Sequence, residues 1–173
     1  MRKGMLVATM VAIFVACTSL AFAEGSSQFR LPMQVTRSAE LKDINGQGYL
    51  LTFDLANNMS VGILSENIDF VNNTIPLHDI YSIYAFRISK TLAEPITVGV
   101  DFGTAHCGVG NTEVYKNVAD IFGGVKLLTS RGGKITTFLN VELLYRFLKT
   151  DQFSAGVKDF SGTMVNVGAG INF

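Results

Sequence analysis

Residues 135–148 read ITTFLNVELLYRFL, and in this stretch the side chains sort by parity. Ile135, Leu139, Val141, Leu143, Tyr145 and Phe147 fall on one face, and Thr136, Asn140, Glu142 and Arg146 on the other, with Phe138 and Leu144 as apolar exceptions. Alternation with period two is the mark of a strand whose faces meet different surroundings. Phe138, Val141, Tyr145 and Leu148 also fall at helical spacing, but the β-branched and aromatic content and the flanking turn residues favour a strand. The pattern recurs in 162–173, GTMVNVGAGINF. There Thr163, Val165, Val167, Ala169, Ile171 and Phe173 oppose Gly162, Met164, Asn166, Gly168, Gly170 and Asn172. It recurs again in 96–104, with Ile96, Val98, Val100 and Phe102 against Thr97, Gly99, Asp101 and Gly103.

Working outward, the sequence predicts eight strands, at about 30–37, 48–56, 59–69, 80–90, 96–106, 118–129, 135–148 and 162–173, after a polar lead at 24–29. Most are about nine to twelve residues, the length a tilted strand needs to cross a bilayer. The connections Asn57-Asn58, 91–95 and 130–134 are short; those at about 38–47, 70–79, 107–117 and 149–161 are longer and more polar. Short turns on one side and long loops on the other, with an even strand count, match a transmembrane barrel with both ends on the short-turn side.

The first 23 residues read as a separate segment. Arg2 and Lys3 precede an apolar stretch from Met5 to Leu20, and Ala21-Phe22-Ala23 is a small-x-small cleavage site. This layout predicts a cleaved secretory signal peptide at 1–23 and one barrel domain at 24–173. Cys17, after Phe14-Val15-Ala16, leaves open a lipoprotein-type cleavage with lipidation instead. The remainder carries Cys107 alone, so it has no internal disulfide. The chain is 48 % hydrophobic and 16 % charged, yet no apolar run after the signal is long enough for a membrane helix. Only a closed barrel then lets such a chain satisfy its backbone hydrogen bonds in lipid. With formal net charge +0 and no basic cluster, nothing points to nucleic acid.

The charges share the inward parity. Arg30, Asp54, Glu66, Arg87, Asp101, Asp120, Lys126, Glu142 and Arg146 would all face the interior, an almost balanced set suited to ion pairing across the lumen. Asp120 and Lys126 are candidate cross-strand partners for Glu142 and Arg146. Eight strands leave an interior that side chains can fill, so the lumen is expected to be plugged rather than a general pore. The inward glycines Gly62, Gly99, Gly103, Gly124, Gly168 and Gly170 either make room for long side chains or relieve strand curvature. Tyr49, Tyr145, Phe147 and Phe173 are candidates for an aromatic girdle, there being no Trp.

The chain ends on Phe173 after outward hydrophobics at Ala169 and Ile171. A final amphipathic strand closing on Phe resembles the signal read by the outer-membrane assembly machinery. Together with the signal peptide and the eight segments, the whole mature chain resembles the small outer-membrane barrels of the OmpA-transmembrane, OmpX and OmpW type. The resemblance implies an all-β, eight-stranded antiparallel up-and-down transmembrane barrel in the outer membrane. Its partners would be outer-membrane lipid, lipopolysaccharide and the assembly machinery; the resemblance implies no particular ligand.

Enzyme chemistry finds little support. His78 and His106 are the only imidazoles; His106 and its neighbour Cys107 would point to opposite faces of a strand, and His78 lies near Asp79 and Ser82 without a nucleophile–base arrangement. No metal-ligand spacing exists, Gly108-Val109-Gly110 precedes no helix, and no cofactor is implied. Three readings remain beside a lipid-modifying enzyme: a structural or surface-interaction barrel, a narrow conduit with a side opening near Phe138, Leu144 and Met164, or a soluble barrel with the faces inverted.

Overall fold

The computed structural model describes residues 24–36, 41–72, 78–109, 112–132, 135–154 and 157–173. The expected signal peptide at 1–23, Cys17 included, lies outside them. Eight strands follow in order: β1 (Gly25–Gln34), β2 (Leu41–Asp54), β3 (Met59–Asn72), β4 (His78–Ala93), β5 (Ile96–Val109), β6 (Thr112–Gly132), β7 (Ile135–Phe147) and β8 (Gly162–Asn172). Each pairs antiparallel with its sequence neighbours, and β1 pairs with β8, closing the barrel. Paired backbone hydrogen bonds between Gly25 and Phe173 seal that seam at the ends of the described residues. The eight-stranded antiparallel up-and-down barrel expected from the sequence is the observed architecture.

The register sets the tilt. From Phe29 the pairing runs through Tyr49, Ser65, Tyr84, Thr104 and Asn117, and two residues beyond the Ala119–Phe147 pair it reaches Lys149, bridged to Asp159. Phe29 itself pairs with Ala169, a stagger of ten residues around the circuit. Stagger of this kind obliges the strands to lean by roughly 35–45°.

Parity holds along the walls. In β7 exposed and buried residues alternate, with Leu139, Val141, Leu143, Tyr145 and Phe147 outside and Phe138, Asn140, Glu142, Leu144 and Arg146 inside. The strands are longer than the sequence suggested, which corrects three expectations. β1 begins at Gly25, inside the supposed polar lead. β2, β5 and β6 absorb most of the presumed loops at 38–47 and 107–117, leaving only 110–111 between β5 and β6. His78 opens β4 rather than sitting in a loop. Polar residues at strand spacing pair as readily as apolar ones once a neighbour supplies the ladder, so composition understated these strands.

The connections after β2, β4 and β6 lie at one end of the barrel with Gly25 and Phe173, here the terminus end, while the two-residue step between β5 and β6 lies at the other. The turn after β2 is formed by Asn57 and Asn58, both at positive φ (64° and 60°), a conformation asparagine tolerates better than most residues. The opposite, loop end holds the 148–161 connection. This segment is no free polar loop: Phe153, Val157 and Phe160 are buried against the interior wall.

Candidate lumen site

Three levels fill the interior. At mid-barrel, strand parity brings four carboxylates and three guanidiniums together, all almost fully buried. Arg87 grips Asp101, its direct neighbour across β4 and β5, through two hydrogen bonds of 2.7 Å. The same guanidinium donates to Glu142 at 2.6 Å. Glu142 also accepts from Arg30 at 2.7 Å, from Asn140 at 2.8 Å and from Asn166 at 3.1 Å. Arg30 Nε lies 3.5 Å from Glu66, and Glu66 accepts from Arg146 at 2.8 Å. Arg146 closes on Asp120, its cross-strand partner on β6, at 2.7 and 3.0 Å. The result is one chain of alternating sign: Asp101, Arg87, Glu142, Arg30, Glu66, Arg146, Asp120. Planar guanidiniums suit it because each can serve two carboxylates at once.

Of the charges with inward parity, two stand apart. Asp54 is exposed at the terminus end, where it accepts a hydrogen bond from Ser60. Its position at the last residue of β2 lets the side chain reach solvent. Lys126 is half-buried, donates to Asn172 at 2.6 Å and lies 4.1 Å from the Phe138 ring centre; it does not join Glu142 or Arg146. Asn140 and Asn166 join the chain of charges instead, a role their inward parity allowed but their neutrality concealed. The glycines make room mostly for neighbours other than arginine. A methyl at Gly124 would lie 2.8 Å from Glu142 Cγ, and one at Gly99 would meet the Phe122 ring at 2.6 Å. That ring in turn carries the Arg87 guanidinium at 3.8 Å.

Below the charges, toward the terminus end, a polar vestibule of about 970 Å³ opens. Ser26, Thr52, Ser89, Thr97 and Lys126 line it, and Arg87, Asn140 and Glu142 form its floor. Above the charges, toward the loop end, the filling is apolar. Phe70, Tyr81, Phe153 and Phe160 form a ring cluster with centroids 5.1–5.8 Å apart. The 148–161 segment that supplies two of those rings is pinned by Asn72 donating to Ser154, by Phe160 N–H donating to Leu148, and by Thr150 N–H donating to Lys158. Cys107 lies beneath it, its sulfur 3.8 Å from the Phe153 carbonyl.

Elsewhere His106 and Cys107, neighbours on β5, point to opposite faces, as expected of adjacent strand residues. Cys107 faces the interior, and His106 faces out, stacked on Tyr115 at 4.6 Å. Phe138, Leu144 and Met164 are buried inside a wall that is hydrogen-bonded all round. Ala169, Ile171 and Phe173 are exposed on the outside of β8 and at its end. No group of three or more His, Cys, Asp or Glu residues suited to a metal occurs among the described residues.

No known family and no curated protein matches this sequence. Solved structures do. Neisserial surface protein A (NspA) aligns with a TM-score of 0.51 at 9 % identity, over 86 % of this chain and 95 % of its own. The N-terminal β-barrel domain of Pseudomonas aeruginosa OprF aligns with a TM-score of 0.46 at 12 % identity, over 86 % of this chain and 99 % of its own. At such identity the likeness to NspA is one of fold: this chain folds as a small eight-stranded barrel.

Proposed function

We propose that the chain is an integral outer-membrane barrel with a closed lumen, serving a structural or surface-interaction role rather than transport or catalysis. The outer wall supports the membrane reading. Leu31, Ile63, Val100, Ile121, Leu143 and Val167, from six different strands, are all exposed apolar side chains. Monomeric soluble proteins rarely show contiguous apolar surface beyond a few hundred Å². The fold neighbour NspA is a surface protein, which agrees with this placement. Ala169, Ile171 and Phe173 would then serve as the assembly signal, and the terminus end would face the periplasm.

The observation that carries the closed lumen is the alternating chain of seven charges, backed by the aromatic cluster. Opening a path through either level means separating buried ion pairs or removing packed rings. The test joins two measurements on outer-membrane fractions and purified protein. Unboiled protein should migrate faster than boiled protein on a gel, and planar bilayers should carry no steady current. Recovery in the soluble periplasm without a heat shift would overturn the membrane reading. A stable conductance would overturn the closed lumen in favour of a narrow conduit.

A further inference from the structure

The vestibule at the terminus end is walled all round by the closed barrel. Gln28 on β1, Thr52 on β2, Ser89 on β4, Thr97 on β5, Lys126 on β6 and Asn172 on β8 line it. Its floor is shut by Arg87, which Asp101 and Glu142 hold at 2.7 and 2.6 Å. The space between, about 970 Å³, lies at the upper end of the range of small-molecule sites, roughly 300–1,000 Å³. Hydroxyls and amides dominate the wall. Ser26 and Thr52 share a hydrogen bond of 2.6 Å, and Lys126 donates to Asn172 at 2.6 Å. Gln28 is 3 % exposed, and its carbonyl oxygen accepts from Asn140 at 3.3 Å. Its amide nitrogen has no partner among the described residues. A buried donor in that state gains from any ligand group that accepts from it.

We propose that this vestibule binds a short neutral oligosaccharide. The inference rests on the closed-lumen reading above, which makes the cavity a dead end and not a passage; the proposed orientation opens it to the periplasm. Chemistry selects the class. Sugar hydroxyls donate and accept at once, and so do the Ser and Thr hydroxyls and the Asn and Gln amides that ring the cavity. Charge argues against phosphorylated ligands. Among the described lining residues Lys126 is the one cation outside the mid-barrel chain, and the carboxylates of Glu24, Asp54 and Glu94 stand exposed at the mouth. A peptide cannot bind here by strand addition, because a closed barrel presents no free edge to its interior.

The experiment uses the full chain in lipid nanodiscs, which leave the mouth open and avoid detergents with sugar headgroups. Saturation-transfer NMR titrations then follow maltotriose, cellotriose and triacetylchitotriose. At least one of these sugars should receive saturation from the wild-type chain, and raising the ionic strength should leave its affinity unchanged, as for an uncharged ligand. Gln28→Leu, which removes the free amide, should weaken binding about two- to tenfold, the worth of one neutral hydrogen bond. Thr97→Leu, which puts a bulkier side chain into the cavity from a half-buried position, should abolish it. No transfer to any of the sugars, or unchanged affinity in Thr97→Leu, would overturn the site. The gel heat shift and bilayer conductance of each sample separate the two levels of inference. A shifted, non-conducting barrel without sugar binding sinks the site alone, whereas a steady conductance through the wild-type chain sinks the closed lumen beneath it.

Discussion

Two fillings occupy the barrel interior, one of charges and one of aromatic rings, and they differ in what holds them. The mid-barrel charges belong to β1, β3, β4, β5, β6 and β7, so their positions are fixed by the wall itself. The aromatic cluster draws Phe153 and Phe160 from a connecting segment, held by a few hydrogen bonds and by packing. A closure made of wall residues can open only if the barrel deforms. One made of a connecting segment can leave while the barrel stays intact. On the proposed closed-lumen reading, solute exclusion rests on the charges rather than on the rings.

The hardest blow to this contrast is Glu142→Ala. Arg30 and Arg87 would lose a shared buried partner, and breaking buried pairs from one side costs about 3–5 kcal/mol. Urea unfolding from lipid vesicles, read by the gel heat shift, should show a loss of that order; a loss below about 1 kcal/mol would mean the charges do not act as a unit. Phe153→Ala should cost about 3 kcal/mol locally, as for a buried ring, yet leave the heat shift and the absence of conductance unchanged. Its signature is faster alkylation of Cys107. A current through this variant would give solute exclusion to the rings instead. Gly124→Ala sharpens the comparison from the wall side. Its methyl would press on Glu142, and overpacking costs about 1–3 kcal/mol with no gain in Cys107 labelling.

The smallest effect concerns pH. Burial pushes the Asp159 carboxyl up, but hydrogen bonds from Ser161 and the nearby Lys149 charge outweigh it and hold it below the usual range. A group held low in the folded state contributes stability above its unfolded pKa, and that contribution fades as pH falls through the folded value. Amide exchange at Thr150 and Phe160, corrected for its intrinsic pH dependence, should therefore quicken below about pH 4, where aspartate ordinarily titrates. Asp159→Asn should flatten this response. An unchanged response would show that the Lys149–Asp159 bridge does not pin the segment.

How much of this was legible in the sequence follows from which residues obey parity. Glu142 and Arg146 sit four apart on a strand that alternates cleanly, so their common face, and that of Asp120, could be read directly. Which charges would meet could not, because stagger between strands is set by the closed circuit and not by any one segment. Asp54 illustrates this: it has inward parity but stands at a strand end, where parity no longer decides burial. The 148–161 segment was misread because its composition is polar overall. Phe153, Val157 and Phe160 were the available signal, three large apolar residues in a stretch with no strand for them to belong to.

Seven of the eight strand ladders join neighbours in sequence, whereas the eighth joins Gly25 to Phe173 across the described chain. Loop-closure entropy weighs most on that last pairing, whose partners lie farthest apart in sequence. Arg30 arrives only with it, meeting Glu142 from 112 positions away. Docking β1 one residue out of step would turn Arg30 from the ion pairs to the outer face of the barrel. The arginine on the first strand thus ties the inner ion pairs to the register of the seam, so a barrel shut out of step forfeits them.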